Sequence, residues 1–378
     1  MRPKFEEGGK LHAFHSLFDA MDTFFYTPEQ TTVSGCHIRD AVDNKRTMFT
    51  VIIALIPALL FGMYNIGYQH YLSLGQVSCY CDNFWGNLGY GFLKILPMLL
   101  VSYIVGLGIE CIFAQIRKHE VSEGYFVTGM LIPLICPPDV PLWQLAIAVA
   151  FAVIIGKEVF GGTGYNFLNP ALVARAFLFF SYPSQMSGDT VWIAEQGDAI
   201  SGATPLGEML AGGVAPQASV LDMFLGFIPG SVGETSVIAI LIGAVILLVT
   251  GIASWRIMLS IFAGGAAMGL VFNMIGANPY MEMPFYYHFL IGGFMFGAVF
   301  MATDPVTAAQ TNTGKYIYGA LIGIMAVLIR VLNPAYPEGM MLSILLLNVF
   351  APLIDYYVVD ANIRRRAKRA KLLVKNNQ

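Results

Sequence analysis

A chain of 378 residues that is 56% hydrophobic and only 12% charged, with a net charge of −3 and a mean hydropathy of +0.65, has no counterpart among soluble globular domains. Nearly charge-free stretches of about 20 residues, the length that crosses roughly 30 Å of hydrocarbon, recur from end to end. The composition excludes a water-soluble enzyme and predicts an all-α polytopic membrane protein.

In chain order, residues 1–46 are polar and lack a basic region leading into an apolar core, so no cleaved signal peptide is expected and the first spanning helix serves as the membrane address. Spans are predicted over 47–68, 91–116, 124–138, 142–160 and 168–185. A long loop, 186–215, follows. Further spans are predicted over 235–254, 256–275, 287–302, 315–331 and 339–358, ahead of a basic tail at 359–378. Arg39, Lys45 and Arg46 precede the first span, and Arg364, Arg365, Arg366, Lys368, Arg369, Lys371 and Lys375 follow the last. Basic residues mark the cytoplasmic ends of membrane helices, so both termini are expected there and the number of crossings is even, about ten. Arg117 and Lys118, Lys157 with Arg175, Arg256 and Lys315 fall on the same side. Lys94 and Arg330 alone fall toward the outer side, near enough to helix ends to snorkel. The tail is read as an orienting, anionic-lipid-contacting segment, and no nucleic-acid partner is expected.

The long loop carries DAISGAT, from Asp198 through Ser201, Gly202 and Ala203 to Thr204. Small neighbours leave the Thr204 hydroxyl sterically open, and Asp198 stands where it could orient an approaching group. The run fits either an attachment site for a bulky cofactor or a Ser/Gly surface turn, and the charge pattern assigns it to the outer face.

Two segments echo one another. GKEVFGGTGYNFLNPALVARAF, from Gly156 to Phe177, breaks at its glycines and at Asn169–Pro170; GAVFMATDPVTAAQ, from Gly297 to Gln310, breaks at Asp304–Pro305. Paired interruptions at corresponding points of two halves mark binding or permeation sites in repeat-built membrane proteins, while ordinary helix ends would look similar. Intramembrane acids are costly and point to function. Glu110, Asp304 and Asp355 are the candidates: Glu110 lies two turns from Arg117, and Asp355 has little basic sequence nearby until Arg364. A carboxylate with no fixed cationic partner could hold a proton or Na⁺, while Asp304 also fits a helix cap and Asp355 the headgroup level. Phe296 and Phe300 lie on one helix face just before Asp304, as core packing or as a hydrophobic gate. The five cysteines form no CxxC pair and the six histidines have no ligand spacing, so no zinc or iron–sulfur site is expected, and Cys79 and Cys81 read as loop thiols.

Together, GGKLHAF, DTFFYTP (Asp22 to Pro28), RKHEVSEGYFVTG (Arg117 to Gly129), IGKEVFGGTGYNFLNPAL (Ile155 to Leu172), FSYPSQMSGD (Phe180 to Asp189), SGAT (Ser201 to Thr204) and FMATDPV (Phe300 to Val306) resemble the B-subunit family of the sodium-translocating NADH:quinone oxidoreductase. SGATPL is shared with the D-subunit of the Rnf ferredoxin:NAD oxidoreductase, whereas the long polar N-terminus and GKEVFGGTG look like the NADH:quinone enzyme. The resemblance implies an FMN joined through its phosphate to Thr204 by a flavin transferase acting on the outer side. It also implies a riboflavin near Asn166 and Asn169. It places Asp19, Glu110, Asp304, Asp355, Phe296 and Phe300 on a Na⁺ path, Asp19 standing where Glu is usual. Quinone is implied near the N-terminal segment and a Gly-Gly pair beside Glu110, which here reads Gly106–Leu107. The implied fold is two inverted five-helix repeats, urea-transporter-like, approximately 47–215 and 216–358, in a bacterial inner membrane and within a multi-subunit redox complex. No strand-flanked GxGxxG is present, so hydride uptake belongs to a partner subunit. A redox-free channel or transporter on the same scaffold is the competing function.

Overall fold

The structure is a computed structural model that describes residues 18, 26, 32–38, 42–76, 79–80, 82–117, 121, 124–195, 202–212, 218–333 and 339–376. Among these residues every regular element is helical. Six helices are long and apolar enough to cross a membrane, which makes the protein multi-pass. We number the main helices α1 (Asn44–Ser73), α2 (Phe84–Arg117), α3 (Gly124–Ile135), α4 (Leu142–Gly156), α5 (Pro170–Ser181), α6 (Pro205–Gly212), α7 (Val237–Val249), α8 (Trp255–Ile275), α9 (Asn312–Leu332) and α10 (Met340–Asn376). The predicted spans 124–138, 168–185 and 235–254 fall on the shorter apolar helices α3, α5 and α7. The predicted span 287–302 is broken: one helical turn, Tyr287–Leu290, a reversal at Gly292 and Gly293, a second turn, Phe294–Phe296, and a π-helical turn, Gly297–Met301. Gly292 and Gly293 hold φ of 68° and 66°, the left-handed region that side chains disfavour, which is why the chain can reverse there. The predicted tail is helical too, because α10 runs without interruption through residue 376.

Lipid tails are as apolar as leucine, so close backbone approach and van der Waals packing hold such helices together. Gly91 of α2 presses on the Met63 carbonyl of α1, and Gly323 of α9 presses on the Ile261 carbonyl of α8; a Cβ at either position would overlap that oxygen. One order of neighbours runs through both parts of the chain. α3 packs on α1, α2 and α5, α2 on α4, and α4 on α5; the broken segment packs on α7, α8 and α10, α8 on α9, and α9 on α10. The parts meet where α1 lies along α7 and α5 touches α10. The extensive α1–α2 contact has no equal between α7 and α8.

The two cations expected to snorkel do something else. Arg330 is 1% exposed. Its guanidinium donates to the backbone carbonyls of His288 (2.8 Å), Ile291 (3.0 Å) and Gly292 (3.3 Å), so it pins the reversal. Buried carbonyls left by a broken helix need donors, and five N–H groups in a rigid fork supply several at once. Lys94 pairs with Glu195 at 2.8 Å and Asp139 at 3.5 Å instead of reaching out alone. That ammonium beside Glu195 holds its exposed carboxyl below the usual range. The carboxylate's contribution to stability is therefore present above the ordinary carboxyl pKa and is lost as pH falls through the depressed one.

Candidate functional site

α4 ends at Gly156, and the chain turns through Lys157 and the short 3-10 turn Glu158–Phe160 into a loop where Gly161, Gly162 and Gly164 have φ of 124°, 94° and 94°. Asn166 ties this loop down: its side-chain oxygen accepts from the Gly164 amide at 3.2 Å and its amide donates to the Leu168 carbonyl at 3.0 Å. Asn169 then caps α5, accepting from the Ala171 amide at 3.0 Å, with Pro170 in the first helical position where no N–H is needed. The second break is built differently. Thr303 donates to the Val299 carbonyl at 2.6 Å, and Asp304 folds back on its own turn, accepting from the Val306 amide at 3.1 Å and the Thr307 hydroxyl at 2.9 Å.

Both breaks wall one cavity. Lys157, Thr163, Asn166 and Asn169 line one side and Phe300, Thr303 and Asp304 the other, with α1 and α3 between, around a cavity of about 80 Å³ that is partly open to the outside. Asn166 and Asn169 are buried, and the Thr163 hydroxyl is a buried polar atom with no partner in the protein. Thr163 lines this cavity, and a buried hydroxyl without a partner is a feature that calls for an explanation. Thr163 escapes notice in the sequence because it sits among glycines whose evident role is conformational.

Glu110 is not without a cation. Its carboxylate accepts from the Lys157 ammonium, and both side chains are 3% exposed. Arg117, which sequence spacing offers as the nearer cation, serves Glu158 instead, donating to its carbonyl at 2.6 Å and to its carboxylate at 3.3 Å. Gly106 is required by packing, since a Cβ there would overlap the Tyr125 ring, whose hydroxyl donates to the Ser102 carbonyl at 2.8 Å. Leu107, half-buried, packs against the core.

Phe296 and Phe300 touch, with ring centroids 4.9 Å apart, although they straddle the start of the π turn and not one regular helix. Both are buried, and the Phe300 ring packs against Gly243 of α7, which itself lies against the Ala54 carbonyl of α1. Asp355 stands outside the cavity, half-buried, and holds the residues just before α9: it accepts from the backbone amides of Gln310 (2.6 Å) and Thr311 (3.0 Å) and from the hydroxyl of Thr311 (2.5 Å), the residue that caps α9. The Gln310 side chain donates to the Pro305 carbonyl at 2.7 Å and the Ala308 carbonyl at 3.0 Å, which ties the segment after Asp304 to the start of α9. Another buried pair, Arg175–Glu234 at 2.6 Å, joins α5 to the loop before α7; sequence reading treats Arg175 only as a topology marker.

Thr204 is far along the chain from these groups and occupies the cap position of α6. Its carbonyl accepts from the Glu208 amide at 2.9 Å and its hydroxyl from the Gly207 amide at 3.2 Å. Gly202 is buried, while Ala203 and Thr204 are half-buried. Leu206, 2% exposed, anchors the helix, and its carbonyl accepts from the Tyr280 hydroxyl at 2.8 Å. A phosphate on Thr204 would therefore sit at the positive end of α6. Asp19, Asp198 and Ser201 lie outside the described residues.

These features define a multi-pass helical membrane protein in which two helix breaks share a mainly apolar cavity that carries a few polar side chains. Residues 31–364 match the model of the NQR2, RnfD, RnfE family, and the chain belongs to that family. It is 51% identical to the Na(+)-translocating NADH-quinone reductase B-subunit of Ectopseudomonas mendocina over 97% of this chain and 96% of the relative. It is likewise 51% identical to the counterpart with the same name in Chromohalobacter salexigens, over 98% and 95%, and 50% identical to that of Pseudomonas aeruginosa, over 97% and 96%. The resemblance drawn from the motifs is borne out from end to end.

Proposed function

We propose that this chain is the membrane subunit of a respiratory Na⁺-pumping NADH:quinone oxidoreductase, with FMN bound covalently through Thr204 and riboflavin held between the two helix breaks. When bound, the flavins supply one-electron transfer toward quinone. The chain's own residues do the rest. Thr204 offers the hydroxyl and α6 the positive helix end for the FMN phosphate. Thr163, Asn166 and Asn169 offer hydrogen-bond partners to a flavin edge, with Asn169 keeping its amide nitrogen clear of its capping bond. Phe296 and Phe300 close the core next to Asp304, and Glu110, Asp304 and Asp355 serve the Na⁺ path. Gly106, Leu107 and Glu110 border the quinone approach. The observation that carries this reading is the cavity, where the two sequence breaks meet around an orphaned hydroxyl in a chain half identical throughout to Na(+)-translocating relatives.

Ten crossings in two inverted repeats, 47–215 and 216–358, are supported by the repeated order of helix neighbours. The basic ends support cytoplasmic termini, 1–46 and 359–378, in a bacterial inner membrane, with the 186–215 loop and its FMN outside. Partner subunits take up hydride, and a flavin transferase installs the FMN. In the purified complex, acid extraction releases one riboflavin per copy of this subunit, and Asn169→Leu lowers that yield at least tenfold while leaving gel-fixed flavin unchanged. Full riboflavin retention by Asn169→Leu would place the flavin elsewhere. A ferredoxin-linked complex would reveal itself by its electron donor, and a redox-free channel by the absence of any flavin.

A further inference from the structure

α10 does not stop where the membrane does. Tyr356 and Tyr357 are exposed and directly follow Asp355, which holds the segment before α9; aromatic rings at a helix end mark the headgroup level. From there the helix continues to Asn376, with no glycine or proline after Pro352 to bend it. Its direction is set upstream, where it packs along the crossing helix α9. At 1.5 Å per residue, Arg364 lies about 10 Å beyond Tyr357 and Lys371 about 21 Å.

This projecting segment is a column of cations: Arg364, Arg365, Arg366, Lys368, Arg369 and Lys371, with no acid anywhere after Asp360. Arg364 pairs with Asp360 at 2.8 Å. The others have no partner among the described residues, and every residue from 361 to 371 is exposed. Arg364 with Lys368, and Arg365 with Arg369, stand four apart, where like charges repel and work against the helix. An opposite charge lying alongside removes that penalty. An anionic leaflet is badly placed to supply it, because its attraction fades within a Debye length of about 8 Å. A helix lying on the surface also needs a broad apolar face, and Ile363 is the one large apolar side chain from 361 to 371. Ile363, Ala367 and Ala370 follow one another at i, i+4 and i+7, flanked by Arg366 and Lys371. That stripe is too slight to hold a helix in a membrane, but a narrow apolar seam with charged flanks is the form of a surface that pairs with a second protein segment.

We propose that the segment 361–371 of α10 is a docking surface for an acidic segment of a partner subunit on the cytoplasmic side. It rests on the proposed cytoplasmic placement of the C-terminus and on the chain's place in a multi-subunit complex. Carboxylates of the partner face the column of cations, and the seam of Ile363, Ala367 and Ala370 takes its apolar contact.

The test treats the purified wild-type complex with a water-soluble carbodiimide, which joins a lysine amine to a carboxylate in contact with it. Mass-spectrometric mapping finds Lys368 or Lys371 linked to an aspartate or glutamate of another subunit. Arg366→Glu with Arg369→Glu leaves both lysines in place and changes only exposed positions; it lowers that link at least fivefold and releases the linked subunit at lower salt. Arg366→Lys with Arg369→Lys behaves as the wild type. Links confined to this chain, or none at either lysine, would overturn the proposal. Full subunit retention in the glutamate variant, with loss of co-purified anionic phospholipid, would overturn it too and assign the segment to lipid headgroups. Protease access to a C-terminal tag from the outer side of sealed vesicles would overturn the cytoplasmic placement, and recovery of the wild-type chain without companion subunits the complex reading; either takes the docking surface with it.

Discussion

Thr204→Ala abolishes the flavin fluorescence that this subunit retains on a denaturing gel, when it is produced in cells that carry the flavin transferase. The hydroxyl is the only group at that position able to form a phosphoester, and alanine removes it outright. Thr204→Ala also removes the cap on α6, where the Gly207 amide loses its acceptor. That costs about 1 kcal/mol, too little to unfold a helix anchored by Leu206 and Tyr280. The subunit is therefore recovered at near wild-type yield but dark. Thr204→Ser keeps both hydroxyl and cap and serves as the control for folding. A fluorescent Thr204→Ala band would move the attachment to another residue, and a dark wild-type band would remove covalent FMN from the account.

Glu110→Ala has the largest expected effect on stability. It strands the Lys157 ammonium in a site that is 3% exposed, and breaking one side of a buried pair costs about 3–5 kcal/mol. Thermal denaturation of the detergent-solubilised complex reads this directly. Replacing both partners removes the unpaired charge, so Glu110→Ala with Lys157→Met is milder than the sum of the two single changes, as expected for residues in direct contact. Additive losses would mean that the pair contributes nothing as a pair.

The sequence makes the chemistry of single segments legible and hides the partners. The two breaks are readable because glycine, Asn-Pro and Asp-Pro interrupt apolar runs in a recognisable way, and both do bound the cavity. Lys157 is visible only as a topology marker; its bond to Glu110 spans 47 residues, and no spacing rule reaches that far. Asp355 looks unpartnered because its partners are backbone amides, which a sequence does not display. Arg330 looks like a snorkelling cation for the same reason: its acceptors are carbonyls exposed by the reversal at Gly292 and Gly293. Phe296 and Phe300 read as neighbours on an α-helix, and their rings do meet, but across a π turn that leaves no periodicity signal over five residues. Thr204 is the converse case. Its small neighbours are enough to expect an open hydroxyl, but the segment reads as loop, and the helix that starts at Pro205 with Thr204 at its cap is a finding of the structure.

The most direct measurement is NADH-driven ²²Na⁺ uptake by the complete complex in sealed vesicles, with quinone present and a protonophore added. The account predicts Na⁺ accumulation that the protonophore does not diminish and that vanishes when the complex carries Thr204→Ala. Uptake abolished by the protonophore, or NADH oxidation without any Na⁺ accumulation, would contradict a Na⁺ pump in which the flavin attached to Thr204 carries electrons.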